Sequence, residues 1–276
     1  MKLDGFYRFF IQKKWIYLAI NCIFAIEKKK LKMQYYKTKV IKNKRIAPDV
    51  FVIELPREEG NVEPGQFYMI KSWDDQLPLL RPISVYNVEE ETISFMYRIV
   101  GKGTELMSQL KKGNSISLMG PLGNGFPYKD VQGKIALVGG GVGIPPLFET
   151  AKRLKQLGNE VDVFLGYKDI LFGYEEFETV SDAIYISCEN GKEGYKGYIT
   201  DLIHPENYDA VFTCGPELMM YKVKAKCDEK MVPVWLSMER HMACGVGACL
   251  VCNCDTQKGT VRACKEGPVF NGKDLV

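Results

Sequence analysis

Histidine is scarce in this 276-residue chain: His204 and His241 are the only two. Chemistry built on an imidazole general base has little to draw on, and no catalytic acid or base is assigned to any residue. Long apolar runs are missing as well. Trp15 to Ile26 is apolar except for Asn21, but twelve residues rise only about 18 Å as a helix, against a hydrocarbon core of about 30 Å. No small-residue cleavage site follows it, so a secretory signal is poorly supported. Nothing else marks the chain as exported, and intracellular thiols stay reduced, which argues against disulfides among its nine cysteines. The formal charge of +3 is too small to argue for nucleic acid, and residues 28 to 44 alone hold eight lysines and no acid. That run reads as a solvated basic tail. A cytoplasmic protein with no nucleic-acid partner and no membrane span is expected.

With 46% hydrophobic and 26% charged residues, the composition is that of a globular protein, long enough for two domains and an appendage. Residues 1 to 33 look foreign to the rest. They read as an upstream extension with the working start at Met33, as an interfacial segment, or as a partner-binding helix; the first reading is preferred.

From residue 34 to about 130 the pattern is short strands and turns. Val50 to Leu55, Gln66 to Ile70, Thr92 to Val100 and Ser115 to Leu118 are rich in β-branched and aromatic residues, punctuated by Gly60, Pro64-Gly65, Gly113-Asn114 and Gly120-Pro121. This spacing predicts a closed antiparallel barrel interrupted by one short helix near Thr104 to Leu110. Pro82, within Leu80 to Tyr86, implies an edge or a break, which frees the Ser84 amide to face a ligand. Arg81 beside it supplies donors suited to phosphate. Gly101-Lys-Gly103-Thr104 precedes the short helix, where amides can take an anion or simply cap the turn.

After Asp130 strands and helices alternate, which implies a parallel sheet with ligand at the strand C-terminal ends. Strands are expected at 134–138, 161–165, 183–187, 210–213 and 232–236, and helices at 145–157 and 218–229. Gly139-Gly140-Gly141-Val-Gly143 joins the first strand to a helix, though not in the Gly-x-Gly-x-x-Gly form. Thr213-Cys214-Gly215-Pro216 sits at another strand end, and both loops should converge on one crevice. Lys168 could accept a 2′-phosphate, but Asp169 opposes it, which favours NAD.

The most specific signal is Cys244-Gly-Val-Gly-Ala-Cys249-Leu-Val-Cys252 followed by Cys264. Intervals of four, two and eleven residues are the plant-type rhythm of a 2Fe-2S ligand set. Gly245 and Gly247 let the backbone wrap an inorganic core with amides toward the sulfurs. A zinc site would favour two Cys-x2-Cys knuckles, and only Cys249 and Cys252 have that interval. Cys254 breaks the rhythm and is left out, although strand alternation puts it on the same face as Cys252. Cys22, Cys188, Cys214 and Cys227 are scattered and read as buried thiols.

Taken in order, the barrel motifs resemble the flavin domain of the ferredoxin-NADP reductase superfamily. The resemblance implies that Arg81, Pro82, Ile83 and Ser84 cradle a flavin, FAD, although the residues themselves would also admit FMN, that Met96, Tyr97 and Arg98 lie on a flavin-facing strand, and that Gly103 and Thr104 bind its pyrophosphate. Gly120-Pro-Leu-Gly-Asn-Gly-Phe126 resembles the family's turn at the barrel exit. By the same resemblance Cys214, Gly215 and Pro216 lie beside the nicotinamide, with Gly139, Gly140, Gly141 and Gly143 in the coenzyme loop. The tail, Met238-Glu-Arg-His-Met-Ala-Cys244 onward and Cys264-Lys-Glu-Gly-Pro-Val-Phe270, is similar to the electron-transfer subunits of class 1B dihydroorotate dehydrogenases. The likeness spans about residues 34 to 273. It implies three parts: a flavin barrel (34–130), an NAD-binding α/β domain (131–236) and a 2Fe-2S domain (237–276). Cys244, Cys249, Cys252 and Cys264 would hold the cluster. It further implies a catalytic partner subunit that oxidises dihydroorotate on FMN, a heterotetramer with two copies of each subunit, and a role in pyrimidine biosynthesis. A reductase subunit of a hydrogenase, sulfite reductase or ferredoxin-linked complex shares the layout, and a zinc-stabilised tail would transfer no electrons.

Overall fold

The first half of the chain wraps two antiparallel sheets around one core. In chain order its elements are β1 (Gln34–Lys39), β2 (Lys42–Ala47), β3 (Val50–Pro56), β4 (Phe67–Lys71), β5 (Arg81–Ser84), β6 (Asn87–Val88), β7 (Thr92–Arg98), α1 (Lys102–Ser108) and β8 (Ser115–Leu122). The computed structural model describes residues 34–72 and 77–276; the readings given for residues 1–33, and Cys22 with them, lie outside that range. One sheet runs β1-β8-β4-β5 and the other β2-β3-β7-β6. Adjacent amides at two corners point to opposite sheets. Val85 donates to Gln66 and Tyr86 to Ser94, while Val40 donates to Asn114 and Ile41 to Glu54. Those corners close the barrel over Ile53, Leu55, Ile70, Phe95 and Leu118, all fully buried. β1 and β2 carry the lysines, whose alternation with half-buried residues leaves the charges outside.

The second half is α/β: β9 (Lys134–Gly140), α2 (Pro145–Gln156), β10 (Glu160–Tyr167), β11 (Ala183–Cys188), β12 (Tyr195–Lys196), β13 (Ala210–Cys214), α3 (Glu217–Glu229) and β14 (Val234–Ser237), followed by β15 (Asn253–Thr256), β16 (Gly259–Arg262) and β17 (Val269–Asn271). The sheet order is β12-β11-β10-β9-β13-β14-β17. The first six are parallel, and the chain reverses direction across the sheet between β9 and β13, where a crevice opens at the strand ends. β17 differs from the expected parallel sheet. It comes from beyond the cysteine motif and pairs antiparallel with β14, Ser237 opposite Val269 and Trp235 opposite Asn271. Without it the amides and carbonyls along the outer edge of β14 would lack partners.

Barrel and sheet meet across a continuous apolar core, with the rings of Tyr86 and Phe148, and of Phe126 and Phe212, 5.0 Å apart. A polar strap runs beside it. Glu149 on α2 is fully buried and accepts from the Val88 amide of β6 at 3.0 Å and from Arg153 at 2.6 Å. Lys152 donates to the Asn87 side chain and the Val88 carbonyl, both at 2.7 Å. Glu149→Ala would leave a buried amide and a partly buried cation unpaired, and should lower unfolding stability by about 3 kcal/mol. Chemical denaturation of the apoprotein checks this.

Candidate electron-transfer site

The glycine loop and the Cys214 loop lie side by side. Gly139 pairs with Cys214 across the sheet. A Cβ on Gly143 would run into the backbone of Cys214 and Gly215, and one on Gly140 would meet Met219 Sδ at 2.7 Å and Pro216 Cδ at 2.8 Å. These two glycines serve contact between the loops. Gly141 differs: its φ is +53° and nothing lies within 4 Å of where a Cβ would be, so its bare backbone faces open space. Beyond it α2 begins with Pro145 and Pro146, which carry no amide hydrogen. The helix start therefore offers an anion fewer donors than usual, and the loop amides have to supply them. Cys214 is buried, and that burial, opposed only by a hydrogen bond with Ser237, pushes its thiol up to about 12. Burial thus keeps the thiol neutral.

A small cleft joins this loop to the barrel, lined by Asp49, Arg98, Gly141, Lys168, Asp169 and Phe172 among others. Arg98 is ion-paired with Asp49 at 2.5 Å there. Arg98 and Met96 share one face of β7, while alternation turns Tyr97 into the barrel core, where its hydroxyl donates to Asn43 at 3.1 Å. Tyr97 thus does not join the other two. Thr104 is buried, and its hydroxyl closes its own turn, donating to the Gly101 carbonyl at 3.0 Å and accepting from the Val100 amide at 2.9 Å. This is a capping role; buried Gly103 precedes it in the same turn.

β5 is the edge strand of its sheet, paired only with β4, and Arg81, Pro82, Ile83 and Ser84 are all half-buried. Pro82 lies opposite Met69 and Ser84 opposite Phe67. An open edge with partly covered side chains fits a flat ring better than a packed strand would. Arg81 donates to the Leu79 carbonyl at 2.6 Å. Arg81→Ala should lower the FAD retained per chain after gel filtration, and unchanged flavin occupancy would remove this residue from the flavin site.

The four cysteines fall into two pairs. The Cys244 and Cys249 thiols lie within hydrogen-bonding reach of each other, as do those of Cys252 and Cys264. Among the described residues no three cysteine, histidine or acidic side chains gather at a single-ion site. A two-iron core takes two thiolates per iron, and paired donors suit it. Gly245 and Gly247 adopt φ of +70° and +80°, which turns amides toward sulfur. Gly247 donates to Cys264 at 3.1 Å, and Ala248, Cys249 and Val246 donate to Cys244 at 3.3, 3.4 and 3.5 Å. Burial alone would raise the Cys244 thiol, but those donors and Cys249 outweigh it and hold Cys244 well below the usual thiol range. Cys252 and Cys264 are buried, Cys249 is exposed and Cys244 lies between. Arg262 donates to the Gly247 carbonyl at 3.0 Å and is ion-paired with Glu266, which ties the loop to the Cys264 segment. Cys254 is buried on β15 outside the paired set.

Residues 239–276 match the model of the iron-sulfur cluster binding domain of dihydroorotate dehydrogenase B. The dihydroorotate dehydrogenase B (NAD(+)) electron transfer subunit of Clostridium acetobutylicum is 47% identical over 246 residues, covering 89% of this chain and 99% of that protein. The chain belongs to this family of electron transfer subunits. The Clostridium perfringens subunit of the same name is 42% identical, over 88% of this chain and 98% of its own length. The family likeness extends through the barrel and sheet, not the cysteine tail alone. Among solved structures, an NADH-dependent reduced ferredoxin-NADP oxidoreductase aligns with a TM-score of 0.77 and 31% identity, over 87% of this chain and 89% of that one. A ferredoxin NADP+ reductase from Neisseria gonorrhoeae, at 16% identity and a TM-score of 0.60, shares the fold.

Sequence reasoning missed the residues that hold this subunit's parts together. Glu149, Asn124 and Arg262 bond to segments up to 142 positions away, and no local pattern signals such a partner. Among the described residues, no helix is long and apolar enough to cross a membrane.

Proposed function

We propose that this chain relays electrons from a dihydroorotate-oxidising FMN subunit to NAD in pyrimidine biosynthesis. In this reading residues 34–130 hold FAD, 131–236 bind NAD, and 237–276 carry the 2Fe-2S cluster on Cys244, Cys249, Cys252 and Cys264. When bound, flavin supplies chemistry that neither other group can, since it exchanges hydride with nicotinamide and single electrons with a cluster. The chain's own residues then have to bring three sites together and exclude competing donors.

One observation carries this. A Cβ on Gly245, next to Cys244, would lie 2.8 Å from Met69 Cγ and 3.1 Å from both Leu122 Cδ1 and Met119 Cε, so the cluster loop is laid directly on β4 and β8. Met69 is opposite Pro82 on the neighbouring strand, and opposed residues share a face with Cβ atoms about 5 Å apart. The cysteine loop and the β5 edge therefore occupy the same face of one sheet, one strand apart. Beside the exposed Cys249, Val246, Leu250 and Val251 are 40%, 59% and 53% exposed. An apolar rim around a ligand suits a partner subunit seated over it. Family membership supports a complex of two copies of each subunit, in the cytoplasm.

The test is anaerobic NAD reduction by dihydroorotate with this chain and the FMN-bearing subunit from the same source. Activity that requires both proteins is expected. An inactive pair, with this chain still carrying FAD and an NADH-reducible cluster, would transfer the relay to another electron donor.

A further inference from the structure

The turn where the barrel ends grips the chain just after the last cluster ligand. Asn124 donates its backbone amide to the Gly267 carbonyl at 2.6 Å, and its side-chain amide to the carbonyls of Glu266 at 2.9 Å and Lys265 at 3.3 Å. It also bridges to Pro268 in strand fashion. Gly123 beside it has φ of +71°, and a Cβ there would lie 2.6 Å from the Gly267 carbonyl oxygen and 2.6 Å from Pro268 Cδ. The turn is itself moored to the start of β4, because Gln66 donates its side-chain amide to the Gly123 carbonyl at 2.8 Å. The next residue, Phe67, faces Ser84 across the β4–β5 pair.

We propose that Gly123 and Asn124 form a clasp that sets how far the cluster ligands stand from the flavin edge, with Asn124 a positioning residue for electron transfer between them. The reading rests on the relay proposed above. The cysteine loop meets the barrel at two places, near Cys244 on Met69 and Met119 and near Cys264 at this clasp. A single contact would leave the loop free to pivot; two fix its distance and tilt. Asn124 reaches no ligand sulfur. It acts through the three carbonyls that follow Cys264, in the way outer-shell partners orient ligands.

Asn124→Asp keeps the volume but cannot donate to the Lys265 and Glu266 carbonyls, and Asn124→Ala removes the side chain altogether. The full chain loaded with FAD and cluster is mixed with NADH without oxygen, and flavin and cluster absorbance are followed separately. Flavin reduction by NADH should keep its rate in both variants. Electron transfer from flavin to cluster, taken per loaded cluster, should slow by about tenfold to a hundredfold. Amide hydrogen exchange over residues 264–267 of the unloaded chain should quicken in both. A transfer rate that both variants leave unchanged overturns the clasp alone, whatever their iron content. In the unsubstituted chain, a cluster that NADH cannot reduce through FAD overturns the relay and the clasp with it.

Discussion

Cys249→Ser should yield a chain that keeps FAD, still bleaches with NADH, holds no 2Fe-2S core and passes no electrons from dihydroorotate. Cys249 pairs with Cys244 on the outer side of the ligand set and is exposed, whereas Cys252 and Cys264 are buried. Replacing its sulfur removes a ligand while taking almost nothing from the hydrophobic core. A serine hydroxyl is a far poorer donor to iron than a thiolate, and with one ligand gone the exposed half of the site opens to water. The coupled rate should fall by about a hundredfold or more. Iron, labile sulfide and FAD per chain, measured beside the two rates, check it. If NADH reduction of flavin is lost as well, the cluster is holding the fold together, and the barrel contacts around Gly245 and Asn124 are not enough alone.

Gly143→Ala should have the opposite pattern: cluster and flavin retained, NADH reduction of flavin down by about a hundredfold. The new methyl would strike backbone atoms of Cys214 and Gly215, which have no rotamer to escape into. The two loops must separate, and the crevice they form at the β9–β13 boundary changes shape. A displacement near 1 Å at a hydride-transfer site costs about two orders of magnitude. Anaerobic stopped-flow at saturating and limiting NADH checks this, and an unaltered rate would mean that the loops need not touch for the coenzyme to seat. Gly141→Ala is the contrasting case: its methyl enters open space, so only the left-handed backbone penalty of about 1 kcal/mol opposes it.

Much of this layout could be read from the residues because it is local. The strands β3, β4, β7, β8, β9, β10, β11 and β13 lie where β-branched and aromatic runs put them, and the cysteine rhythm names its own chemistry. Elements set by distant partners were not legible. β17 is three residues, Val269–Asn271, and is a strand only because β14 offers an edge. Thr104 sits in a phosphate-binding pattern yet uses its hydroxyl to close a turn, and only geometry separates those uses. Within Met96-Tyr97-Arg98, strand alternation sends the Tyr97 side chain to the face opposite the other two, which the motif alone does not reveal. The four loop glycines looked alike; three meet neighbouring atoms and one meets solvent.

The antiparallel β17 has a consequence for how the protein is made. The outer edge of β14 stays open until Val269–Asn271 pair with it, because no earlier segment among the described residues does so. An unpaired edge on a finished sheet is a template for other chains. Molecules cut short between Cys264 and Val269 would keep all four thiols for iron and yet carry an adhesive edge. Completion of the sheet thus depends on a segment beyond the last cluster ligand, and loss of the Val269–Asn271 pairing should show first as aggregation during expression rather than as a missing cofactor.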